Sequence, residues 1–143
     1  MILLDTNVLS ELTRRMPDRG VERWLADQRV ADVFISAITE AELRYGVALL
    51  APGKQQFLLA AATEDMLAND FVGRILPFDS PAAIAYADIA AHRRRAGRPM
   101  SQSDAQIAVI AQSRGATLAT RNVRDFEGCG VTVVNPWIEA GRD

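Results

Sequence analysis

The side chains in this sequence that could do chemistry are oxygen donors. Asp5 directly follows the apolar run Ile2-Leu3-Leu4, and Glu42 sits in Thr39-Glu40-Ala41-Glu42-Leu43. Asp104 lies in Ser101-Gln102-Ser103-Asp104, and Asn122 and Asp125 share the stretch Thr120-Arg121-Asn122-Val123-Arg124-Asp125-Phe126. The chain has a single His, His92, and a single Cys, Cys129. No Ser/His/acid or Cys/His catalytic set can be assembled from that inventory. There is no Gly-x-Gly-x-x-Gly and no P-loop, so nucleotide-cofactor binding has no support. Hard oxygen ligands without His or Cys select Mg²⁺, with Mn²⁺ as a substitute, over Zn²⁺.

Each acid also has an ordinary structural reading. Asp5, Thr6 or Asn7 can cap a helix N-terminus. Asp104 lies three residues after Ser101, a capping-box-like spacing in a first helical turn. Asn122 and Asp125 can make Asx turns in a polar loop. Glu42 falls on one helical stripe with Ile38, Tyr45 and Leu49, whereas Glu40 lies beside Arg44. A carboxylate in an apolar stripe is costly without a partner. If Asp5, Glu42 and Asp104 converge to about 5 Å, each pair costs about 3 kcal/mol at an effective dielectric of about 20. Three pairs approach about 10 kcal/mol, against a domain stability of about 5–15 kcal/mol. Such a cluster must take up protons or a cation.

Whether they converge depends on the elements that carry them. Short apolar runs at Ile2-Leu3-Leu4, Val33-Phe34-Ile35, Arg74-Ile75-Leu76, Thr117-Leu118-Ala119-Thr120 and Val131-Thr132-Val133-Val134 read as five strands. Helical patterns lie between them: Val8 to Arg15, Val21 to Gln28, Ala37 to Leu50 with Ser36 as its cap, Lys54 to Phe71, Pro81 to Gly97, and Ser103 to Arg114. The alternation predicts an α/β fold with a parallel sheet and helices on both faces. Ligand sites in such folds lie beyond the carboxyl ends of the strands, near a switch in strand order. Asp5 and Asn122 follow strands directly. Ile107, Ala108 and Ala111 share a helical face with Asp104, so that carboxylate is expected on the side that packs on the sheet.

At 143 residues, 49% of them apolar, the chain is expected to form one domain over 1–143 with an ordinary core. The net charge of −2 gives no global field for nucleic acid, so basic contacts must be local. Arg93-Arg94-Arg95 reads first as a solvated helix C-terminus. Together with Arg121 and Arg124 it is also a candidate for phosphate contact. The lone Cys129 and the absence of a long apolar stretch suggest a reducing, cytoplasmic setting with no membrane span.

Four segments, taken in order, resemble the PIN-domain ribonucleases, especially toxins of the VapC type. They are Met1 to Ser10 around Asp5-Thr6-Asn7, Ser36 to Gly46 around Glu42, Ser103-Asp104-Ala105-Gln106-Ile107-Ala108, and Leu118 to Phe126. Val134-Asn135-Pro136-Trp137 and Gly73 to Asp79 are similar to the FitB-like branch. The resemblance implies a PIN-like three-layer sandwich, homodimers, and Mg²⁺-dependent hydrolysis of RNA by an endoribonuclease. It further implies a toxin neutralised by a small cognate antitoxin with a DNA-binding domain, whose tail can place an Arg in the acidic site. Asp5, Glu42 and Asp104 match the family's metal ligands and catalytic acids, with Glu42 rather than Glu40 in the ligand position. Many members carry Asp where this chain has Asn122, so Asp125 is expected to take over as the fourth metal ligand and catalytic acid, with Asn122 as the other possible fourth ligand. Thr6, Asn7 and Thr120 fall where outer groups would orient the ligands.

Two other readings stay open on the sequence. One is a phosphatase using Asp5 as nucleophile, although that class wants a second acid two residues on, where this chain has Asn7. The other is a non-catalytic module that acts mainly through a DNA-binding partner.

Overall fold

Ile2–Leu4 (β1) becomes the middle of a five-stranded parallel sheet in the computed structural model, which describes residues 1–139. It pairs on one side with Val33–Ser36 (β2) and on the other with Thr117–Ala119 (β4). Ile75–Leu76 (β3) and Val133–Val134 (β5) form the edges, giving the order β3-β2-β1-β4-β5. From β1 the chain runs outward through β2 and β3. It then crosses back to the other side of β1, so the order reverses between β1 and β4.

Alternation along these short strands sorts the core into two layers. Leu3, Leu118 and Leu76 face one side, packed with Ile107, Val109 and Ile110. They lie under Ser80–Arg95 (α5) and Gln102–Ser113 (α6). Leu4, Val33, Ile35 and Ala119 face the other side. They meet Val8 and Leu9 of Thr6–Leu12 (α1), Val21 of Arg19–Ala26 (α2), and Leu67 and Phe71. Side chains of successive strand residues point to opposite faces, so a one-residue slip of β1 would exchange both layers at once. This is the three-layer α/β sandwich that the alternating pattern predicts.

Three further α-helices lie among the described residues: Ala37–Ala48 (α3), Lys54–Asp65 (α4) and Pro136–Glu139 (α7). The caps fall where the residue types ask for them. The Ser36 hydroxyl accepts from the Thr39 N–H at 3.0 Å, and Ser101 accepts from the Asp104 N–H at 3.1 Å.

Several expected boundaries change in detail: α1 runs over Thr6–Leu12, β4 ends at Ala119, and β5 spans only Val133–Val134. The stretch Lys54 to Phe71 is not one uniform helix: α4 stops at Asp65 and continues as a π-helical turn over Met66–Asp70. The wider turn brings Leu67 and Phe71 onto the sheet, and the Arg74 side chain ties down the carbonyls of Val30, Val33 and Asp70. Arg74 therefore precedes β3 and is not part of it.

Candidate active site

Asp5 stands where β1 ends and α1 begins. Its backbone N–H is the last rung of the sheet, bonded to the Ala119 carbonyl at 2.9 Å, and its carboxylate caps α1 by accepting from the Thr6 N–H at 2.8 Å. The capping reading and the functional one therefore describe the same side chain. The second oxygen, Oδ2, accepts from the Thr120 hydroxyl at 2.7 Å and from the Asn7 amide at 3.4 Å. Thr120 follows β4, so Asp5 and Thr120 join the two strands between which the order reverses. Only 5% of Asp5 is exposed.

The other acids arrive from helices that begin at the same end of the sheet. Glu42 is one turn into α3, and its Oε1 accepts from the Thr6 hydroxyl at 2.8 Å. That hydroxyl also lies 3.1 Å from the buried Thr39 hydroxyl, which Ser36 holds from below. Asp104 stands in the first turn of α6. Its neighbours Ile107, Ala108 and Ala111 are buried against the sheet, as their spacing predicts. Asp5, Glu42, Asp104 and Asn122 line one cleft of about 520 Å³, within the range of small-ligand sites.

The acids sense one another. Burial raises the Asp5 carboxyl above the ordinary carboxylate range. Hydrogen bonds from Thr120 and Thr6 oppose that rise, and the charges of Asp104 and Glu42 add to it. Burial also raises Asp104, opposed by Ser101 and reinforced by the charges of Asp125 and Glu42. Each ionised carboxylate thus makes the next costlier, as expected of like charges sharing a site.

Asn122 and Asp125 part company here. Asn122 lines the cleft, and its N–H bonds to the Thr120 hydroxyl at 3.1 Å. Asp125 lies in the 3₁₀ turn Val123–Phe126, exposed and outside the lining of the cleft, and reaches Asp104 only through its charge. Asn7 also has a definite task. Its amide bonds the Thr120 hydroxyl at 3.1 Å while its oxygen accepts from the Arg121 N–H at 3.3 Å. It supplies no second acid for an Asp5 nucleophile.

Glu42 departs from its expected setting. Ile38 packs toward the core, but Glu42 is exposed, and Tyr45 and Leu49 are each 66% exposed. Only the first part of α3 covers the sheet; the stripe then runs out into solvent. Arg93 departs in the other direction. It is buried and donates to the Arg98 carbonyl at 2.7 Å and to the Glu127 carbonyl. It holds the loop after β4, whereas Arg94 and Arg95 remain exposed.

Four cleft residues were not singled out as site residues by the sequence. Ser10 and Glu11 continue the Asn7 face of α1 and Arg14 follows just past its end at the same spacing, and that periodicity was the available signal. Glu11 is buried and paired with Arg14 at 3.2 Å. Trp137, on the four-residue α7, lines the cleft beneath Arg121, and no periodic pattern marks so short a helix.

Among the described residues no three His, Cys, Asp or Glu side chains close into one ligand group. The acids therefore line one cleft without forming a closed cage for any metal ion. The donor chemistry does fit Mg²⁺, which takes one or two carboxylates and keeps several waters. Mutually repelling acids around a buried Asp5 gain most from such an ion.

A parallel sheet with an acidic cleft over its switch point places this chain among α/β proteins that work at the carboxyl edge of the sheet. More narrowly, the chain belongs to the PIN-domain family, whose family model matches residues 2–128. It is 45% identical over 137 residues to Toxin FitB of Neisseria gonorrhoeae, covering 96% of this chain and 99% of that one. It is 40% identical over 137 residues to VapC ribonuclease Y4jK of Sinorhizobium fredii, covering 96% and 98%. The solved structure of FitAB bound to an IR36 DNA fragment superposes with a TM-score of 0.90 at 44% identity, covering 96% of each chain.

Proposed function

We propose that this chain is a metal-dependent endoribonuclease and the toxin of a type II toxin–antitoxin pair. The observation that carries the reading is the buried Asp5 at the switch point, facing Glu42 and Asp104 across one cleft. The relatives support it: one is named a ribonuclease, another a toxin, and the similar solved structure is a FitAB assembly on DNA. By the same reasoning the chain works in the cytoplasm, as a homodimer, and pairs with a small antitoxin bearing a DNA-binding domain. No helix among the described residues is long and apolar enough to cross a membrane.

In this reading Asp5 and Asp104 hold Mg²⁺ or Mn²⁺, with Glu42 and the Asn122 carbonyl oxygen beside them. Bound there, the ion would polarise a phosphodiester oxygen and lower the pKa of water for in-line hydrolysis. The chain's own groups do the positioning. The Thr120 hydroxyl and Thr6 N–H fix both oxygens of Asp5. The Thr6 hydroxyl turns Glu42 toward the cleft, where its carboxylate can accept a proton or orient water. Asn7 locks Thr120 in place. The direct test is cleavage of single-stranded RNA by the purified chain with Mg²⁺ and its loss in EDTA; equal cleavage in EDTA would remove the metal from the mechanism.

The fourth position makes a separate expectation. Asn122 faces the cleft and Asp125 does not, so Asn122→Asp should tighten Mg²⁺ binding by adding a charge among the ligands. Asp125→Ala should move the Asp104 titration down, because it removes a like charge. Titration of metal affinity in both variants checks this. A large loss of affinity in Asp125→Ala, with none of the expected gain in Asn122→Asp, would hand the position to Asp125.

A further inference from the structure

We propose that Arg121 and Trp137 form a nucleotide subsite at the rim of the acidic cleft, taking the phosphate and unpaired base next to the scissile bond. The proposal rests on the ribonuclease reading above and names how that site grips its substrate. The guanidinium carbon of Arg121 lies 5.0 Å from the centre of the Trp137 ring, and both residues line the cleft. Trp137 is half-buried and packed against the core layer of Leu4 and Ala119; its backbone N–H is held by the Asn135 side chain at 3.0 Å. The ring is therefore a fixed platform, and the guanidinium on it is pre-oriented by cation–π attraction.

The platform is also coupled to the chemistry. The Arg121 N–H bonds to Asn7 Oδ1 at 3.3 Å, and the Asn7 amide bonds to Thr120 Oγ1 at 3.1 Å and Asp5 Oδ2 at 3.4 Å. One amide side chain thus ties the backbone of Arg121 to the buried carboxylate. Among the described residues Arg121 has no acidic partner. Arg14, the other basic residue of the cleft, is occupied by Glu11 at 3.2 Å. With a net charge of −2 the chain offers no general attraction for RNA, so this uncompensated guanidinium beside the acids matters. A guanidinium held over an indole keeps its N–H groups available to a phosphate, in charge-assisted bonds. Its outer face remains for a base, as in single-strand recognition. A base stacked inside a duplex has no free face for this contact, so the subsite takes single strands.

Three measurements with a single-stranded oligoribonucleotide test this. In steady-state cleavage with Mg²⁺, Arg121→Ala should raise KM about ten-fold, the scale of one stacked base, while kcat stays within about two-fold. Its plot of log affinity against log salt should flatten by about 0.7, one phosphate contact on a single strand. Arg121→Lys should keep the slope and lose part of the affinity. In a Trp24→Phe background Trp137 is the sole emitter, since the chain has two Trp. Adding the strand in EDTA should quench that emission, and a strand with abasic sites should quench it less. Unchanged KM and slope in Arg121→Ala, with no quench, would overturn the subsite while continued cleavage left the ribonuclease reading standing. Quenching and a salt slope that depend on Arg121, without any cleavage, would support the subsite and overturn the ribonuclease reading. Quenching by the antitoxin alone, with none by RNA, would assign the platform to protein recognition and overturn the proposal.

Discussion

Asp5→Asn should lower RNA cleavage by on the order of a thousand-fold and abolish the growth arrest caused by expressing the chain alone. The estimate follows from where Asp5 sits. Outer partners of a metal ligand cost about 10–100-fold when removed, and the Thr120 hydroxyl, bonded to Asp5 Oδ2 at 2.7 Å, is such a partner. Thr120→Val should fall in that lower range. Asp5 is the group those partners serve, so its neutralisation should cost more. Asparagine keeps the shape and still caps α1 through its remaining oxygen, so the fold should survive. Asp104→Asn should behave in the same way. Antitoxin capture should persist in both variants, because the substitutions remove one charge and leave the helical surfaces unchanged. Circular dichroism and immunoblotting would establish that the variants are folded and equally abundant. If such Asp5→Asn protein still arrests growth, Asp5 does not carry the activity.

How far the sequence reaches can be judged residue by residue. Asp5 and Asp104 were legible because each stands where hydrophobic periodicity changes or a cap is required, and those local rules also decide the backbone. The parallel sheet with helices on both faces was legible from the alternation of short apolar runs with helical patterns, whereas the division of Leu3 and Leu4 between two core layers comes from the structure. Glu42 was legible as a candidate but not in its surroundings. The stripe of Ile38, Glu42, Tyr45 and Leu49 assumes that α3 lies on the sheet throughout, whereas its later turns extend into solvent. The π turn at Met66–Asp70 escaped because apolar spacing does not report a local change in helical hydrogen bonding. The division of labour between Asn122 and Asp125 depends on the direction of one 3₁₀ turn, which side-chain types do not encode. Trp137 escaped because its helix has too few residues to show a period.

Mg²⁺ should stabilise the protein, and more so as pH rises. Burial first, and neighbouring charge second, hold the folded pKa values of Asp5 and Asp104 above their unfolded ones. Below the unfolded values both groups are neutral in either state, and the fold loses nothing by burying them. As pH climbs through the raised folded values, the native state must carry ionised, mutually repelling carboxylates that the unfolded chain carries freely in water. Their contribution to stability is therefore present in acid and lost with rising pH. Without metal, Asp5→Asn should lose less stability than wild type between about pH 4 and neutrality, the side on which the raised groups titrate. A divalent ion binds the ionised form and competes with protons, so its effect should grow over the same interval. At a hundred times Kd the gain is about 2.7 kcal/mol, or roughly 8 °C in Tm for a domain of this size. Thermal melts across pH, with EDTA or Mg²⁺, would read both trends. An equal Mg²⁺ shift in wild type and in Asp5→Asn/Asp104→Asn would place the ion somewhere other than this cleft. A wild-type curve without metal that rises toward neutrality no less than that of Asp5→Asn would mean that burial and neighbouring charge do not raise the Asp5 carboxyl.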